Sequence, residues 1–227
     1  MTTLTTDTPR EMQAKINEDR ATMVTIYHTL AAYYTRQMRT ATDKFKVNEY
    51  HKLANMYFNN SVEYERSASL NDGFTHAGKG INLLFGRKSG DADADKKFNF
   101  ALEQNPRCIP ALLGKGCILY MKKKYQEALD KFKQVLTIHP NCHPSVRLAM
   151  AYCYNKLGKN ELAKLALQRV IDLNPDVETL VEALANLAIF YFSESNDEKA
   201  QDLVVRAYNY DTSNSKVLNL LSRIYFQ

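Results

Sequence analysis

The feature that most constrains this chain is a proline that returns at nearly constant spacing. Asn105-Pro106, His139-Pro140 and Asn174-Pro175 each close a run of apolar residues at helical spacing, and each opens a connection to the next run. The period is about 34 residues, enough for two helices of about a dozen residues and their turns. Aligned on Pro140, the first helix carries Leu112, Gly116 and Leu119 as large, small and large, and the second carries Ala128 and Phe132 as small and large. The unit before it gives Gly80, Phe85, Ala94, Phe98 and Ala101. The unit after gives Met150, Ala151 and Tyr154, then Ala163, Leu167 and Val170. A fourth gives Leu184, Leu187, Ala188 and Tyr191, then Ala200, Val204 and Ala207, with Thr212 in place of the closing proline. Small residues in mid-helix let two backbones approach, and a helical pair of this size must stack on neighbours to bury its apolar faces.

This period is that of a tetratricopeptide unit, so the expected fold is all-α, a right-handed α-solenoid of tetratricopeptide helix pairs. The expected organisation is a polar, disordered segment over 1–18 and an array over 19–227. Its units are 19–67, 72–106, 107–140, 143–175 and 177–212, with a half unit over 214–227. In the weak first unit Leu30, Ala31 and Tyr34 face Ala54, Phe58 and Ser61 across a polar connection from Thr35 to Val47. In the half unit Leu218, Leu221, Ser222 and Tyr225 begin a helix with no partner, an apolar face expected to self-associate.

A formal net charge of +5 over 227 residues is mild but uneven. Between Arg107 and Arg169 twelve Lys or Arg stand against Glu127, Asp130 and Glu161. The N-terminus lacks the basic-then-apolar order of a signal peptide and no apolar run reaches membrane-spanning length, so the chain reads as soluble and intracellular. Cys108, Cys117, Cys142 and Cys153 form no CxxC pair and read as reduced thiols.

Three motifs invite chemistry. GFTHAGKG, Gly73 to Gly80, approaches a phosphate-binding loop, but Gly80 stands where Ser or Thr would hold Mg²⁺, and the polar lead-in from Glu63 to Asp72 is no β-strand. Gly114-Lys115-Gly116 repeats the same tripeptide, which marks a repeat position. His139, Cys142 and His143 in HPNCHP lack a fourth ligand and read as an inter-repeat turn. No Ser, His and Asp set or carboxylate pair falls in a catalytic pattern. The sequence therefore implies no catalytic residue, no cofactor and no metal.

Particular words go beyond the repeat. TLAAYY (Thr29 to Tyr34), IPALLGKGCI (Ile109 to Ile118), VRLAMAYCYNKLGK (Val146 to Lys159) and RAYNYDTSNSKVLNLL (Arg206 to Leu221) resemble, in order and spacing, the large tetratricopeptide subunit of the RNA polymerase II-associated factor complex, the PAF complex. The likeness runs from about Asp19 to the end and reads as an N-proximal piece of a longer family chain. It implies a nuclear scaffold that holds other PAF-complex subunits, meets the RNA polymerase II elongation machinery indirectly and supports co-transcriptional histone modification. The alternatives are a general tetratricopeptide adaptor or co-chaperone and, least favoured, a nucleotide-binding enzyme.

First helices of such arrays line the concave face. By repeat phase the inward residues are Leu113, Cys117 and Tyr120, then Leu148, Tyr152 and Asn155, then Ala185, Ile189 and Phe192. This mostly apolar set suits a partner's amphipathic helix or extended apolar segment. A basic flank of Lys122, Lys123, Lys124, Lys156 and Lys159 suits an acidic protein segment. Without aromatic-interleaved recognition motifs, direct nucleic-acid binding is disfavoured, and no membrane partner is expected.

Overall fold

The structure, a computed structural model, describes residues 9–68, 73–86 and 91–225. Among them are eleven helices and no strand. The chain divides into two compact units, residues 1–115 and 116–227.

Unit 1 opens with two long helices, α1 (Pro9–Thr40) and α2 (Lys44–Ala68). The connection expected from Thr35 to Val47 is therefore mostly helix, turning only at residues 41–43. The reason is periodic: Ala31, Thr35 and Met38 are buried at i, i+4 and i+7, so α1 keeps one face inward through a stretch whose other faces are polar. On α2 the buried row is Val47, Ala54, Phe58, Ser61 and Glu65. A tyrosine seam also joins the pair, with Tyr34 stacked on Tyr57 at 5.6 Å and Tyr27 against Tyr64 at 5.5 Å. The helix starts at Pro9, inside the segment expected to be disordered; residues 1–8 of that segment lie outside the described residues.

Helices α3 (Phe74–Phe85) and α4 (Asp91–Gln104) follow, then α5 (Ile109–Met121), within which the two units meet in sequence. Each glycine of the repeated Gly-Lys-Gly has a packing reason. A Cβ on Gly80 would lie 2.6 Å from the Phe98 ring, and one on Gly114 would fall on the same ring. Phe98 is fully buried between them. Gly78 makes the same room for Phe58. One turn after the buried Ala94 and Ala128, a phenylalanine fills each gap, Phe98 for Gly80 and Phe132 for Gly116.

Unit 2 continues with α6 (Tyr125–Ile138), α7 (Ser145–Lys156), α8 (Asn160–Asp172), α9 (Val177–Ser193), α10 (Asp197–Tyr210) and α11 (Ser215–Tyr225). Its second helices repeat one buried triplet at i, i+4 and i+7: Ala128, Phe132 and Val135; Ala163, Leu167 and Val170; Ala200, Val204 and Ala207. Three turns inside helix pairs are also alike. Lys124 N–H donates to Leu119 O, Lys159 N–H to Tyr154 O and Asn196 N–H to Tyr191 O, each at 2.9 Å. Lys123, Gly158 and Ser195 take the left-handed conformation, with φ of 62°, 71° and 58°. In α11 the residues turned inward are Val217 and Leu220, with Leu221 and Ile224 partly buried, while Leu218 and Tyr225 are exposed. Sequence phase had this helix rotated by about one residue.

Candidate interaction surfaces

Tyr152 on α7, Glu182 and Asn186 on α9 and Lys216 on α11 converge on the first-helix face of unit 2. The Tyr152 hydroxyl donates to Glu182 Oε1. Lys216 Nζ donates to the same oxygen at 2.8 Å and to Asn186 Oδ1 at 3.1 Å. Asn186 Nδ2 in turn donates to the Tyr152 oxygen at 3.1 Å. Burial pushes the Glu182 carboxyl up and is its largest single influence, but the hydrogen bonds from Lys216, Tyr152 and Asn186 outweigh it and hold the group below the usual carboxylate range. Burial, and then the bond to Glu182, drive the Tyr152 phenol well above its ordinary range. The cluster is closed, because the one cation and the one carboxylate answer each other within it.

The residues placed on this face by sequence phase separate into three groups. Cys117, Asn155 and Ile189 are exposed, while Leu113, Tyr120, Tyr152 and Phe192 are half-buried. Leu148 and Ala185 belong instead to the hydrophobic core of unit 2, at 8% and 1% exposure, so neither can line a groove. The correction has a physical cause: α9 packs against helices on several sides, and its buried stripe takes in Val181, Leu184, Ala185 and Ala188 together. Phe192 is itself covered by the Arg223 guanidinium, 5.4 Å from its ring centroid. Sequence phase missed Glu182, Asn186 and Lys216. The signal was present, since Asn186 follows Tyr152 by 34 residues and Lys216 follows Glu182 by 34.

The lysines of the basic flank lie in two of the three like turns, where Lys124 and Lys159 are structurally equivalent. All five are exposed. Lys124 pairs with Glu127 at 3.0 Å. The third turn reverses sign, with Glu194 accepting from Lys164 at 2.8 Å. Of the HPNCHP group, His143 bonds Ser145 and lies 3.1 Å from Asp176, which caps α9 by accepting from Thr179 N–H at 3.0 Å.

Unit 1 presents a different surface. A cavity of about 310 Å³ opens between α1 and α3. Thr35, Arg36 and Arg39 form one wall and Gly78, Ile81 and Phe85 the other. Phe58 of α2 forms the floor where Gly78 withholds a side chain. The Arg39 guanidinium stacks on Phe85 at 4.6 Å. A second cavity of about 350 Å³ shares Arg39 and Phe85 and is completed by Met38, Ala41 and Val47. Sequence reasoning overlooked this surface because it treated Thr35 to Val47 as a connection.

Deeper in unit 1, Thr75 donates to Glu65 and lies within hydrogen-bonding distance of His28 Nε2 and, at 2.9 Å, of the Ser61 hydroxyl. Thr75 and Ser61 are wholly buried. With its proton given to Glu65 and both lone pairs occupied, the hydroxyl is saturated and closed to substrate. Helix α2 occupies residues 44–68, where a phosphate-binding loop would need a strand leading toward Gly73. Among the described residues no helix is long and apolar enough to cross a membrane.

Residues 119–187 match the tetratricopeptide repeat family. Over 208 residues the chain is 30% identical to a protein CTR9 homolog of Arabidopsis thaliana, covering 89% of this chain and 18% of that one. It is 26% identical to the RNA polymerase-associated protein CTR9 of Caenorhabditis elegans over 133 residues, 59% of this chain and 12% of that one. The chain thus spans less than a fifth of the length of these relatives. A solved structure of PilF from Pseudomonas aeruginosa shares the fold at a TM-score of 0.70 and 17% identity, covering 92% of this chain and 85% of that one. The fold class is the all-α tetratricopeptide solenoid.

Proposed function

We propose that this CTR9-like array of tetratricopeptide repeats is a non-catalytic scaffold of the RNA polymerase II-associated factor complex, holding other subunits of that complex in the nucleus. Through them it serves transcription elongation and co-transcriptional histone modification. The observation that carries the reading is the reach of the likeness. It extends over 208 residues, whereas the generic repeat match is confined to residues 119–187. Shared repeat physics would account for the second alone.

On this reading the helix pairs act as units bounded near 72–106, 107–140, 143–175 and 177–212. In unit 2 the exposed Cys117 and Ile189, beside the half-buried Tyr120 and Phe192, supply apolar contact. The exposed lysines of the two like turns attract an acidic partner at long range. A co-chaperone role is disfavoured by Lys216: a cation already bonded to Glu182 at 2.8 Å is not free to clamp a chaperone's carboxylate tail.

Affinity purification of the tagged chain from nuclear extract, read by mass spectrometry, tests the reading. Recovery of RNA polymerase-associated subunits is expected. Recovery of chaperones alone would contradict it.

A further inference from the structure

The cavity pair of unit 1 has no role in the cluster and turns described for unit 2, and its walls set two arginines beside an apolar floor. Arg36 and Arg39 are exposed, stand one helical turn apart on α1 and have no carboxylate partner among the described residues. On two other first helices a lysine is paired within the fold: Lys115 with Asp95, and Lys216 with Glu182. Two exposed arginines beside an apolar floor give the cavity a positive rim that is complementary to a carboxylate-bearing apolar segment. The floor is made by design of the packing, because the absent Cβ of Gly78 is what lets the Phe58 ring reach the cavity.

We propose that this surface receives a segment of a partner protein carrying two large apolar side chains one turn apart with carboxylates beside them. One apolar side chain enters the cavity over Phe58 and Ile81. The other enters the cavity beside Met38 and Val47. The Arg39 and Phe85 stack forms the ridge between them, since both cavities share those residues. The carboxylates meet Arg36 and Arg39, whose planar guanidinium groups bind carboxylate in a forked geometry. A nucleotide is the poorer occupant. A cavity of about 310 Å³ stands at the low end of the size of small-molecule sites, roughly 300–1,000 Å³, and no strand-to-loop phosphate cradle adjoins it. The inference rests on the scaffold reading only in taking the occupant to be a partner's chain.

The test uses the whole chain and a fluorescein-labelled synthetic helical peptide with two leucines one turn apart and glutamates on the same face. Binding is followed by fluorescence anisotropy. The acidic peptide should bind and weaken as salt rises. A peptide with lysines for the glutamates, one with alanines for the leucines, and fluorescent ATP should each bind at least about tenfold more weakly. Arg36→Glu with Arg39→Glu should reduce acidic-peptide affinity by about tenfold or more. Ala32→Glu, an exposed change at the mouth of the cavity to another good helix former, should act in the same direction with a nearly unchanged melting temperature. Equal binding of the lysine peptide, tighter binding of ATP, or indifference to both variants overturns the proposal. If the peptide results fail while RNA polymerase-associated subunits still co-purify, the site is wrong and the scaffold reading stands; the reverse pattern removes the scaffold reading and leaves the site.

Discussion

The first-helix faces of the two units treat charge in opposite ways. In unit 2, Tyr152, Glu182, Asn186 and Lys216 satisfy one another, so this cluster carries charge yet offers none. In unit 1, Arg36 and Arg39 stand unanswered beside a cavity floored by Phe58. A closed network stabilises its own helices, whereas an open pair of cations gains only when a partner arrives. Residue type alone does not separate the two faces: tyrosine, asparagine and lysine are usual marks of a binding groove, and here Tyr152, Asn186 and Lys216 bond to Glu182 and to one another.

The packing beneath the faces gives the largest expected effect. Phe98 is fully buried between Gly80 and Gly114, while Phe132, 2% exposed, fills the gap at Gly116. Phe98→Ala should destabilise by about 3–5 kcal/mol, and Phe132→Ala by less within that class of change. Denaturant unfolding of both variants checks the order. An equal loss would mean that the second glycine contact adds nothing.

The brace itself comes next. Glu182→Gln removes the carboxylate that Lys216 and Tyr152 address, with an expected loss of about 1–2 kcal/mol, reduced from that of a buried charged hydrogen bond because both partners are about a third exposed. The same group sets a pH dependence. Its folded pKa is depressed, so its contribution is present above the ordinary carboxylate value of about 4.3 and is lost as pH falls through the folded value. Thermal unfolding should show that acid-side loss in the native chain and a smaller one in Glu182→Gln. A loss of the same size in both would show the brace to be absent.

A smaller effect, about 1 kcal/mol, is expected when Asp176→Ala removes the N-cap of α9. Replacing Lys122, Lys123 and Lys124 with Gln should change stability within about 0.5 kcal/mol while slowing association with a partner and flattening its salt dependence. Stopped-flow rates distinguish this from a rise in dissociation, which would assign these lysines a direct contact.

The helix pairs were legible in the sequence where the period is tight. Ala94, Phe98, Ala128, Phe132, Ala163 and Leu167 were placed inward from spacing alone, and all are buried. Legibility failed where polar residues ride a helix whose buried row is sparse. Between Thr35 and Val47 only Thr35, Met38 and Val47 turn inward, and the first cavity wall went unseen with them. It failed again in α9 and α11, where apolar residues are so dense that phase is ambiguous: Ala185 and Val217 are core while Ile189 and Leu218 are exposed. The repeated Gly-Lys-Gly was read correctly as a repeat position, but its partners, Phe58 and Phe98, came from neighbouring helices that spacing does not rank.

The contrast between an open face and a closed one is tested most directly by one quantitative co-purification from nuclear extract, comparing the native chain with Arg36→Glu/Arg39→Glu and with Tyr152→Phe. The open face should be the more sensitive of the two. Recovery of RNA polymerase-associated subunits should fall by about tenfold with the arginine reversals and hold with Tyr152→Phe, which removes only the two internal hydrogen bonds of that hydroxyl. Undiminished recovery with the arginine reversals, together with a loss caused by Tyr152→Phe, would contradict the account by giving the decisive contact to the closed cluster of unit 2 and none to the open arginines of unit 1.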